Sequence, residues 1–565
     1  MAEGRPVSYQ PQNPLIVQSD RTVLLEVMNP LFEEARDVLA QFAELVKSPE
    51  HIHTYQITPL SLWNAAASGL DAGAIIGDLE RLGKFPLPDV LIKDIGDYVS
   101  RYGRVRLEKD QGGLVLRSSD PLLLTEIWHN KVVRPYLLEA LPDGLLVDPD
   151  RRGHVKQAMI KIGFPVEDLA GYTTGAALET ALRAVTLTGR PFDLRPYQQQ
   201  AVDAFYKGGS VFGGSGVIVL PCGAGKTVVG MGAMAAVQQQ TLILTTNVTA
   251  VRQWIDELVD KTTLTRDQIG EYSGEVKEIK PVTVTTYQML TYRESAEQGS
   301  PFPHFKIFTS LHWGLIIYDE VHMLPAPVFR ITSEIQAMRR LGLTATLVRE
   351  DGAEEDVFSL IGPKRYDLPW KVLERQGFIA EATCTEIRVP LHDELRLSYA
   401  VAEDRAKFRI ASENPVKSSL VSELVRRHPD DLILVIGQYL DQLKALSAQL
   451  GAPLITGQVP NREREELYAK FKRGDIKVLV VSKVANFAID LPDATVAIQV
   501  SGTFGSRQEE AQRLGRILRP KADGSGAHFY TLVTRETKEQ EFAAKRQLFL
   551  TEQGYRYEIV HMEDF

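Results

Sequence analysis

Apolar residues recur at every third or fourth position in the first part of the chain, which predicts amphipathic helices. This periodicity is clearest at residues 30–45, 60–68 and 82–103. Residues 104–117 instead alternate between apolar and polar positions around Gly112 and Gly113, which predicts a β-hairpin. Residues 1–140 are therefore predicted to form a mixed, mainly helical domain.

The pattern changes from residue 195 onward, where short, almost continuous apolar runs alternate with helical stretches. Such runs predict parallel strands that are buried on both faces of a sheet. They lie at residues 215–220, 241–245, 282–286, 313–319 and 340–343, and again at 432–437, 453–456, 478–482, 496–499 and 529–533. Two such sets in tandem predict an α/β protein with two lobes, at residues 190–372 and 373–565. A small, locally basic section at residues 145–185 precedes them.

Composition narrows the class of protein. A chain of 565 residues with 44% hydrophobic and 24% charged residues is typical of a globular protein with several domains. No apolar run approaches the ~18 residues that span a bilayer, and the N-terminus lacks the pattern of a signal peptide. The two cysteines, Cys222 and Cys384, form neither a disulfide framework nor a zinc site, which predicts a cytoplasmic protein. The net charge of −9 means that a nucleic-acid partner would need a local basic channel.

A glycine-rich turn follows the apolar run at residues 215–220 and leads into a helical stretch. It contains Gly223, Ala224, Gly225, Lys226 and Thr227. Glycines let main-chain N–H groups surround phosphates, and a helix N-terminus adds its positive dipole end. In a phosphate loop of this kind the lysine reaches the β- and γ-phosphates, and the threonine hydroxyl ligates Mg²⁺. The strict consensus has glycine where this chain has Leu220, so the turn alone also fits an ordinary strand-to-helix connection.

Two adjacent carboxylates, Asp319 and Glu320, follow the apolar run at residues 313–319. An aspartate in this position holds Mg²⁺, and the glutamate beside it can take a proton from the attacking water. Alone, such a pair is a common solvated strand end. Placed after a phosphate loop at the spacing of one nucleotide-binding lobe, it predicts a site that hydrolyses ATP.

Two further groups of polar residues extend the prediction, the first within lobe 1 and the second to lobe 2. Thr344 and Thr346 flank an alanine directly after the run at residues 340–343. Gln512, Arg516 and Arg519 have helical spacing and so share one helix face. A guanidinium supplied from outside stabilises charge on a transferred phosphoryl group, and it is worth about 10³–10⁵ in rate in GTPases. ATP is therefore expected to bind between the lobes, where closure of the cleft can do mechanical work.

In this order the motifs resemble those of superfamily 2 helicases, and more narrowly the XPB family of DNA-repair helicases in its short bacterial or archaeal form. The segments that resemble motif blocks of this family are residues 52–63, 194–198, 217–226, 341–351, 510–519 and 545–555. The triplet Arg349, Glu350 and Asp351 resembles the family's RED motif, which is implicated in opening duplex DNA. The chain departs from the family at Ala485, where a glycine is frequent, and it lacks the acidic insertion and long tails of eukaryotic members.

The resemblance implies two RecA-like lobes behind an XPB-like N-terminal domain at residues 1–140. It also implies a damage-recognition-like domain at residues 145–185 and a thumb-like element near residues 391–415. It further implies roles for single residues: Gln198 contacts adenine, Asp490 belongs to the nucleotide or coupling site, and His322, Thr344 and Thr346 link cleft closure to DNA.

The function implied is an ATP-dependent 3′-to-5′ DNA helicase that uses Mg²⁺ and opens duplex, forked or tailed DNA during repair, such as nucleotide excision repair. A nuclease or repair protein is an expected partner. Two alternatives remain: a translocase that moves on duplex DNA without separating strands, and a DNA-binding clamp gated by ATP. The presence of Glu320, Arg516 and Arg519 disfavours the clamp, because a clamp could lose these groups.

Overall fold

A computed structural model of the chain describes residues 9–47, 51–111, 113–221, 223–293, 302–335, 338–345, 354–368, 372–373, 376, 382–482, 494–501, 526–552 and 556–565. In these ranges no helix is long and apolar enough to cross a membrane. The described residues form four sheets, of which the two largest have seven strands each.

The first seven-stranded sheet is parallel throughout and forms the core of lobe 1. Its strands, in order across the sheet, are Ile269–Tyr272, Val282–Thr286, Thr241–Thr245, Leu315–Asp319, Arg339–Thr344, Ser215–Val219 and Lys364–Asp367. Its principal helices are Pro196–Tyr206, Lys226–Val237, Val248–Lys261, Ala326–Glu334 and Glu354–Leu360. Buried aliphatic residues cover both faces of the central strands, as a parallel sheet requires.

The second seven-stranded sheet, also parallel, forms lobe 2. Its strands run in the order Leu454–Ile455, Val478–Ser482, Ile433–Gly437, Val496–Gln499, Ala527–Thr534, Ala382–Val389 and Arg556–His561. Its helices are Arg396–Val401, Asp404–Ser412, Val416–Arg427, Leu440–Leu450, Asn461–Lys472 and Lys538–Glu552. The prediction of two α/β lobes is confirmed, and all ten predicted strands are present with bounds within two residues.

The N-terminal region contains a sheet that periodicity did not predict. Four antiparallel strands, Leu15–Val17, Thr22–Glu26, Ile52–Gln56 and Glu44–Lys47, pack with the helices Phe32–Leu39, Pro59–Ser68, Ala72–Leu82 and Asp89–Arg101. The expected helix at residues 30–45 is shorter than predicted, because its last residues belong to the strand Glu44–Lys47. These strands have only three to five residues, so each offers too few positions for alternation to be detected.

A five-stranded sheet crosses the predicted domain boundary at residues 140–145. Its strands are Leu137–Leu141, Gly144–Val147, Gly113–Arg117, Val105–Asp110 and Val166–Asp168. The predicted hairpin at residues 104–117 is present. The sheet runs from residue 105 to residue 168, so it contains strands from both the predicted N-terminal domain and the predicted small domain. Most of the basic residues that suggested a separate section lie on one helix, Arg152–Lys161, that packs on this sheet, and the domain bounds stay a prediction.

Both N-terminal units pack against lobe 1. The main-chain N–H of Lys364 on the edge strand donates to Asn64 Oδ1 at 2.9 Å. The helix Arg152–Lys161 lies against Ala326–Glu334 and Glu354–Leu360, and Gln157 Nε2 donates to Asp356 Oδ1 at 2.7 Å. Both N-terminal units are therefore in direct contact with the lobe that carries the nucleotide motifs.

Candidate nucleotide site

The glycine-rich turn has the backbone of a phosphate loop. It follows the fully buried strand Ser215–Val219, and the helix Lys226–Val237 starts directly after it. Gly223 and Gly225 have φ values of +82° and +81°, a region that side chains other than glycine rarely adopt. These two glycines turn the chain from strand to helix so that the helix N-terminus faces the space where phosphates bind. Cys222 lies outside the described residues.

Gln198 lies directly behind this loop. Its side chain is 4% exposed, and its Nε2 donates to the carbonyl oxygen of Ala224 at 2.9 Å while its Oε1 accepts from the N–H of Arg195 at 2.9 Å. The hydroxyl of Tyr197 donates to the same Ala224 oxygen at 2.8 Å. Both ends of the Gln198 amide are engaged, so contact with adenine requires that it exchange the loop contact for the base.

The phosphate loop and the carboxylate pair meet in space. Lys226 Nζ lies 3.0 Å from Glu320 Oε1, and these side chains are 12% and 16% exposed. Glu320 has φ +51°, an uncommon value for a residue other than glycine, directly after the strand Leu315–Asp319. Such local strain occurs often at functional sites, where the surrounding structure fixes it. The backbone here directs Glu320 towards the lysine of the loop.

The two neighbouring carboxylates differ in their pKa values. Burial and the charge of Glu320 raise the pKa of Asp319 to about 6, against the hydrogen bond from Trp254 and the charge of Lys226. Burial would also raise the pKa of Glu320, but the charges of Lys226 and His322 outweigh it and lower that pKa. Groups whose pKa values are pushed apart in this way are common in sites of acid–base chemistry. A cation that neutralises Asp319 would relieve the cost of holding both charges.

His322 connects the carboxylate pair to Thr344, which follows the phosphate loop and the carboxylate pair as the third sequence motif. Its Nδ1 lies 2.6 Å from Thr344 Oγ1 and 3.6 Å from Glu320 Oε2. The strand Arg339–Thr344 pairs in parallel with both Ser215–Val219 and Leu315–Asp319, so the three motifs emerge from adjacent strand ends. Sequence spacing predicted this meeting, since carboxyl ends of neighbouring parallel strands share one edge of a sheet.

Trp254 and Tyr287 contact Asp319, and sequence analysis singled out neither. Trp254 Nε1 donates to Asp319 Oδ2 at 2.9 Å, and the hydroxyl of Tyr287 donates to the main-chain oxygen of Asp319 at 2.9 Å. Both side chains occupy ordinary core positions in the apolar pattern, so only the fold reveals their polar ends.

Several predicted site residues lie outside the described residues: Thr346, Arg349, Glu350, Asp351, Asp490, Gln512, Arg516 and Arg519. Their roles remain predictions. Within the described ranges, lobe 1 brings together Gln198, Gly223, Ala224, Gly225, Lys226, Asp319, Glu320, His322 and Thr344, and Thr227 follows Lys226 on the same helix.

The donor set suits a magnesium nucleotide. Asp319 and Glu320 offer carboxylate oxygens close to the phosphate loop, and Thr227 follows Lys226 on the helix that begins there. Mg²⁺ prefers one or two carboxylates together with substrate phosphates. In the described part of the chain no three His, Cys, Asp or Glu side chains converge as a self-sufficient metal site. These residues therefore fit Mg²⁺ that arrives with ATP.

Two parallel α/β lobes, with a phosphate loop and an Asp–Glu pair on the first, define a RecA-like ATPase of the helicase type. Three family models match the chain: the ERCC3/RAD25/XPB C-terminal helicase at residues 373–564, the type III restriction enzyme res subunit at residues 191–349, and a helicase conserved C-terminal domain at residues 15–142. The last match lies in the N-terminal part of this chain despite its description.

Full-length relatives identify the family. The DNA 3'-5' helicases XPB of Kineococcus radiotolerans and Mycobacterium tuberculosis are each 55% identical over 98% of this chain, and the matches cover 97% and 98% of those proteins. The helicase/translocase subunit XPB/SSL2 of general transcription and DNA repair factor IIH from Saccharomyces cerevisiae is 32% identical over 96% of this chain and 72% of its own length. The chain belongs to the XPB helicase family.

Proposed function

We propose that this protein hydrolyses ATP between its lobes and uses the energy to move 3′-to-5′ on DNA and to separate the strands of duplexes during repair. The observation that carries the proposal is the contact of Lys226 with Glu320 at 3.0 Å. It brings a phosphate-binding lysine and a potential general base to one point beside a phosphate loop. The proposed polarity is that of the bacterial relatives, which are DNA 3'-5' helicases.

Each residue of the site has a role in this mechanism. The main-chain N–H groups at residues 223–227 surround the phosphates of ATP, and Lys226 leaves Glu320 to contact the β- and γ-phosphates. Glu320, released from the lysine, accepts a proton from the attacking water. Thr227 and Asp319 would hold Mg²⁺, which supplies positive charge against the phosphate oxygens.

Residues of lobe 2 and of the coupling motifs complete the proposal. Arg516 and Arg519, with Gln512 on the same helix face, stabilise charge on the γ-phosphate, and Asp490 completes the nucleotide or coupling site. His322, Thr344 and Thr346 transmit closure of the cleft to the DNA side. Arg349, Glu350 and Asp351 act where the strands separate, and Gln198 contacts the adenine base.

DNA would bind mainly through its phosphates, so binding is expected to be sensitive to salt and largely independent of sequence. A nuclease or repair protein remains a possible partner, with the N-terminal region as its expected docking site.

The ATPase of a Lys226→Ala variant, measured with and without DNA, tests the nucleotide site. The variant is expected to lose DNA-stimulated turnover, because the γ-phosphate then lacks its main cation. Retention of DNA-stimulated turnover would overturn the assignment.

Strand displacement on forked, bubble and tailed duplexes, measured beside a translocation assay, separates the helicase from a translocase that leaves the strands paired. Very slow turnover at saturating DNA would favour the clamp.

A further inference from the structure

The carboxylate of Asp319 is held by a neutral donor on a neighbouring helix. Trp254 lies in the helix Val248–Lys261, its side chain is 2% exposed, and its indole N–H donates to Asp319 Oδ2 at 2.9 Å. An indole N–H can only donate, so it takes one carboxylate oxygen as an acceptor and adds no charge. The hydrogen bond therefore restricts the orientation of the carboxylate without adding a positive charge beside it.

The space for this indole is provided by Gly230, in the helix that follows the phosphate loop. A Cβ atom at Gly230 would lie 2.5 Å from Trp254 Cη2 and 3.3 Å from Leu343 Cδ1. The first distance is far below van der Waals contact. The indole thus packs between the phosphate-loop helix, the strand that carries Asp319 and the strand that carries Thr344, and its position depends on a residue without a side chain at 230.

We propose that Trp254 is a positioning residue that orients the Asp319 carboxylate towards the magnesium nucleotide, and that Gly230 is required to admit it. Groups that hydrogen-bond a metal-binding carboxylate fix its direction, and their loss typically costs about 10–100-fold in metal affinity or activity. Tyr287 fixes the backbone of Asp319 from another side, so its main-chain position persists when only the indole changes. The inference rests on the proposed role of Asp319.

Trp313 is a matched control within the same lobe. It is 1% exposed, and its Nε1 donates to the main-chain oxygen of Ile307 at 2.8 Å. A Trp313→Phe variant loses a buried indole and its hydrogen bond, as Trp254→Phe does, but it loses no contact with Asp319.

The experiment compares Trp254→Phe, Trp313→Phe, Gly230→Ala and Asp319→Asn with the full-length wild type. The affinity for a fluorescent ADP is measured with and without Mg²⁺, and ATPase is measured as Mg²⁺ is titrated. Trp254→Phe is expected to raise the Mg²⁺ needed for half-maximal ATPase by about 10–100-fold. It is also expected to lose most of the gain in ADP affinity that Mg²⁺ provides, with magnesium-free affinity retained and turnover recovering at high Mg²⁺. Gly230→Ala, which displaces the indole sterically, should shift the Mg²⁺ requirement in the same direction, and Trp313→Phe should not shift it.

Equal shifts of the Mg²⁺ requirement in Trp254→Phe and Trp313→Phe would overturn the inference, because the shift would then not depend on the contact with Asp319. No shift in either variant would overturn it as well. Should Trp254→Phe fail to fold, the Mg²⁺ requirement of Gly230→Ala decides, and an unchanged requirement overturns the inference. Asp319→Asn distinguishes a failure of the proposed role of Asp319 from a failure of the role of Trp254. If Asp319→Asn leaves the Mg²⁺ requirement unchanged, the proposed role of Asp319 fails; if it shifts the requirement and Trp254→Phe does not, only the role of Trp254 fails.

Discussion

Two lysine–glutamate pairs, one in each lobe, are held in different ways. In lobe 1, Lys226 and Glu320 are 12% and 16% exposed and meet through one oxygen at 3.0 Å. In lobe 2, Lys417 and Glu539 are 1% and 0% exposed, and Lys417 Nζ lies 2.8 Å from both carboxylate oxygens. Lys417 also donates to the main-chain oxygen of Val500 at 3.0 Å, and Glu539 accepts from the N–H of Thr534 at 2.9 Å.

The difference separates a pair that can exchange partners from a pair that is part of the core. Each charge of the lobe 2 pair is compensated by several neighbours and has no route to a ligand. The lobe 1 pair is more open and stands beside a phosphate loop, so ATP can take Lys226 from Glu320. We therefore expect the same two residue types to serve stability in one lobe and chemistry in the other, according to their environment.

The largest expected effect is on the stability of lobe 2. Lys417→Met leaves Glu539 buried without its main cation, and breaking a buried pair in this way typically costs about 3–5 kcal/mol. Chemical denaturation should therefore show a much lower free energy of unfolding. Lys226→Met serves as the matched control and should lower it by less, because Glu320 is 16% exposed and also lies 3.6 Å from His322 Nδ1, whereas the side chain of Glu539 is fully buried. Comparable losses in the two variants would contradict the distinction.

Glu320→Gln tests the chemical side of the same comparison. The amide keeps the shape of the side chain but cannot take a proton, and loss of a general base typically costs about 10²–10⁴ in rate. Nucleotide binding should persist, because Lys226 loses only a competing partner. Equilibrium nucleotide binding and DNA-stimulated turnover measure the two effects separately. Turnover within about tenfold of the wild type would remove Glu320 from the role of base.

The strands of the two lobes differ in how well the pattern of apolar residues predicted them. Ten strands of the lobes were predicted because their residues are almost all apolar. Four were missed, and each of these interrupts its apolar residues with charged, polar or glycine positions: Ile269–Tyr272, Lys364–Asp367, Ala382–Val389 and Arg556–His561. Three of the four lie at sheet edges, where one side needs no strand partner.

The residues of the nucleotide site also divide into those that the sequence predicted and those that it did not. Lys226, Asp319 and Glu320 were predictable because phosphate chemistry requires those residue types at fixed places after strands. Trp254 and Tyr287 were not, since their hydrogen bonds to Asp319 span 65 and 32 residues along the chain. The sheet that crosses residues 140–145 was missed for a related reason: the pairing of Val105–Asp110 with Val166–Asp168 leaves no local trace.

A third buried lysine extends the comparison to the interface of the five-stranded unit with lobe 1. Lys156 Nζ lies 3.1 Å from Asp168 Oδ2, but Asp168 is also bound by Arg152, whose Nη2 lies 2.6 Å from Oδ1. Burial lowers the pKa of Lys156 to about 8, assisted by the charges of Arg340 and Arg152 and opposed by Asp168. The cluster has more cations than carboxylates, so Lys156 is the group that yields its proton.

This cluster predicts a pH dependence with a definite sign. Between the folded pKa of about 8 and the ordinary lysine value of 10.5, the unfolded chain binds more protons, so the contribution of Lys156 to stability rises with pH. Each unit of separation is worth about 1.4 kcal/mol, which gives a total on the order of 3 kcal/mol. Lys156→Met should flatten the rise in unfolding free energy between pH 8 and pH 10.5, relative to the wild type. An unchanged slope would show that Lys156 keeps the ordinary lysine pKa in the folded protein.

The smallest expected effect concerns the link between the nucleotide site and the third motif. Thr344→Val keeps the shape of the side chain and removes the hydroxyl that lies 2.6 Å from His322 Nδ1. A single hydrogen bond contributes about 0.5–1.5 kcal/mol, so the DNA-stimulated rate, relative to the rate without DNA, should fall by about 2–12-fold. Thr332→Val is the matched control, because its hydroxyl is equally buried but lies 3.1 Å from Tyr318 Oη, away from the carboxylates.

The effect of Thr344→Val is expected to be small because Thr344 takes no part in bond breaking, whereas Glu320 does. It acts on the rate only through His322, which lies 3.6 Å from Glu320 Oε2 and helps to lower the pKa of that carboxylate. A loss as large as that of Glu320→Gln would mean that Thr344 contacts the nucleotide directly. An equal loss in Thr332→Val would mean that the strand ends respond to any lost hydroxyl in lobe 1, and the His322 link would then have no special role.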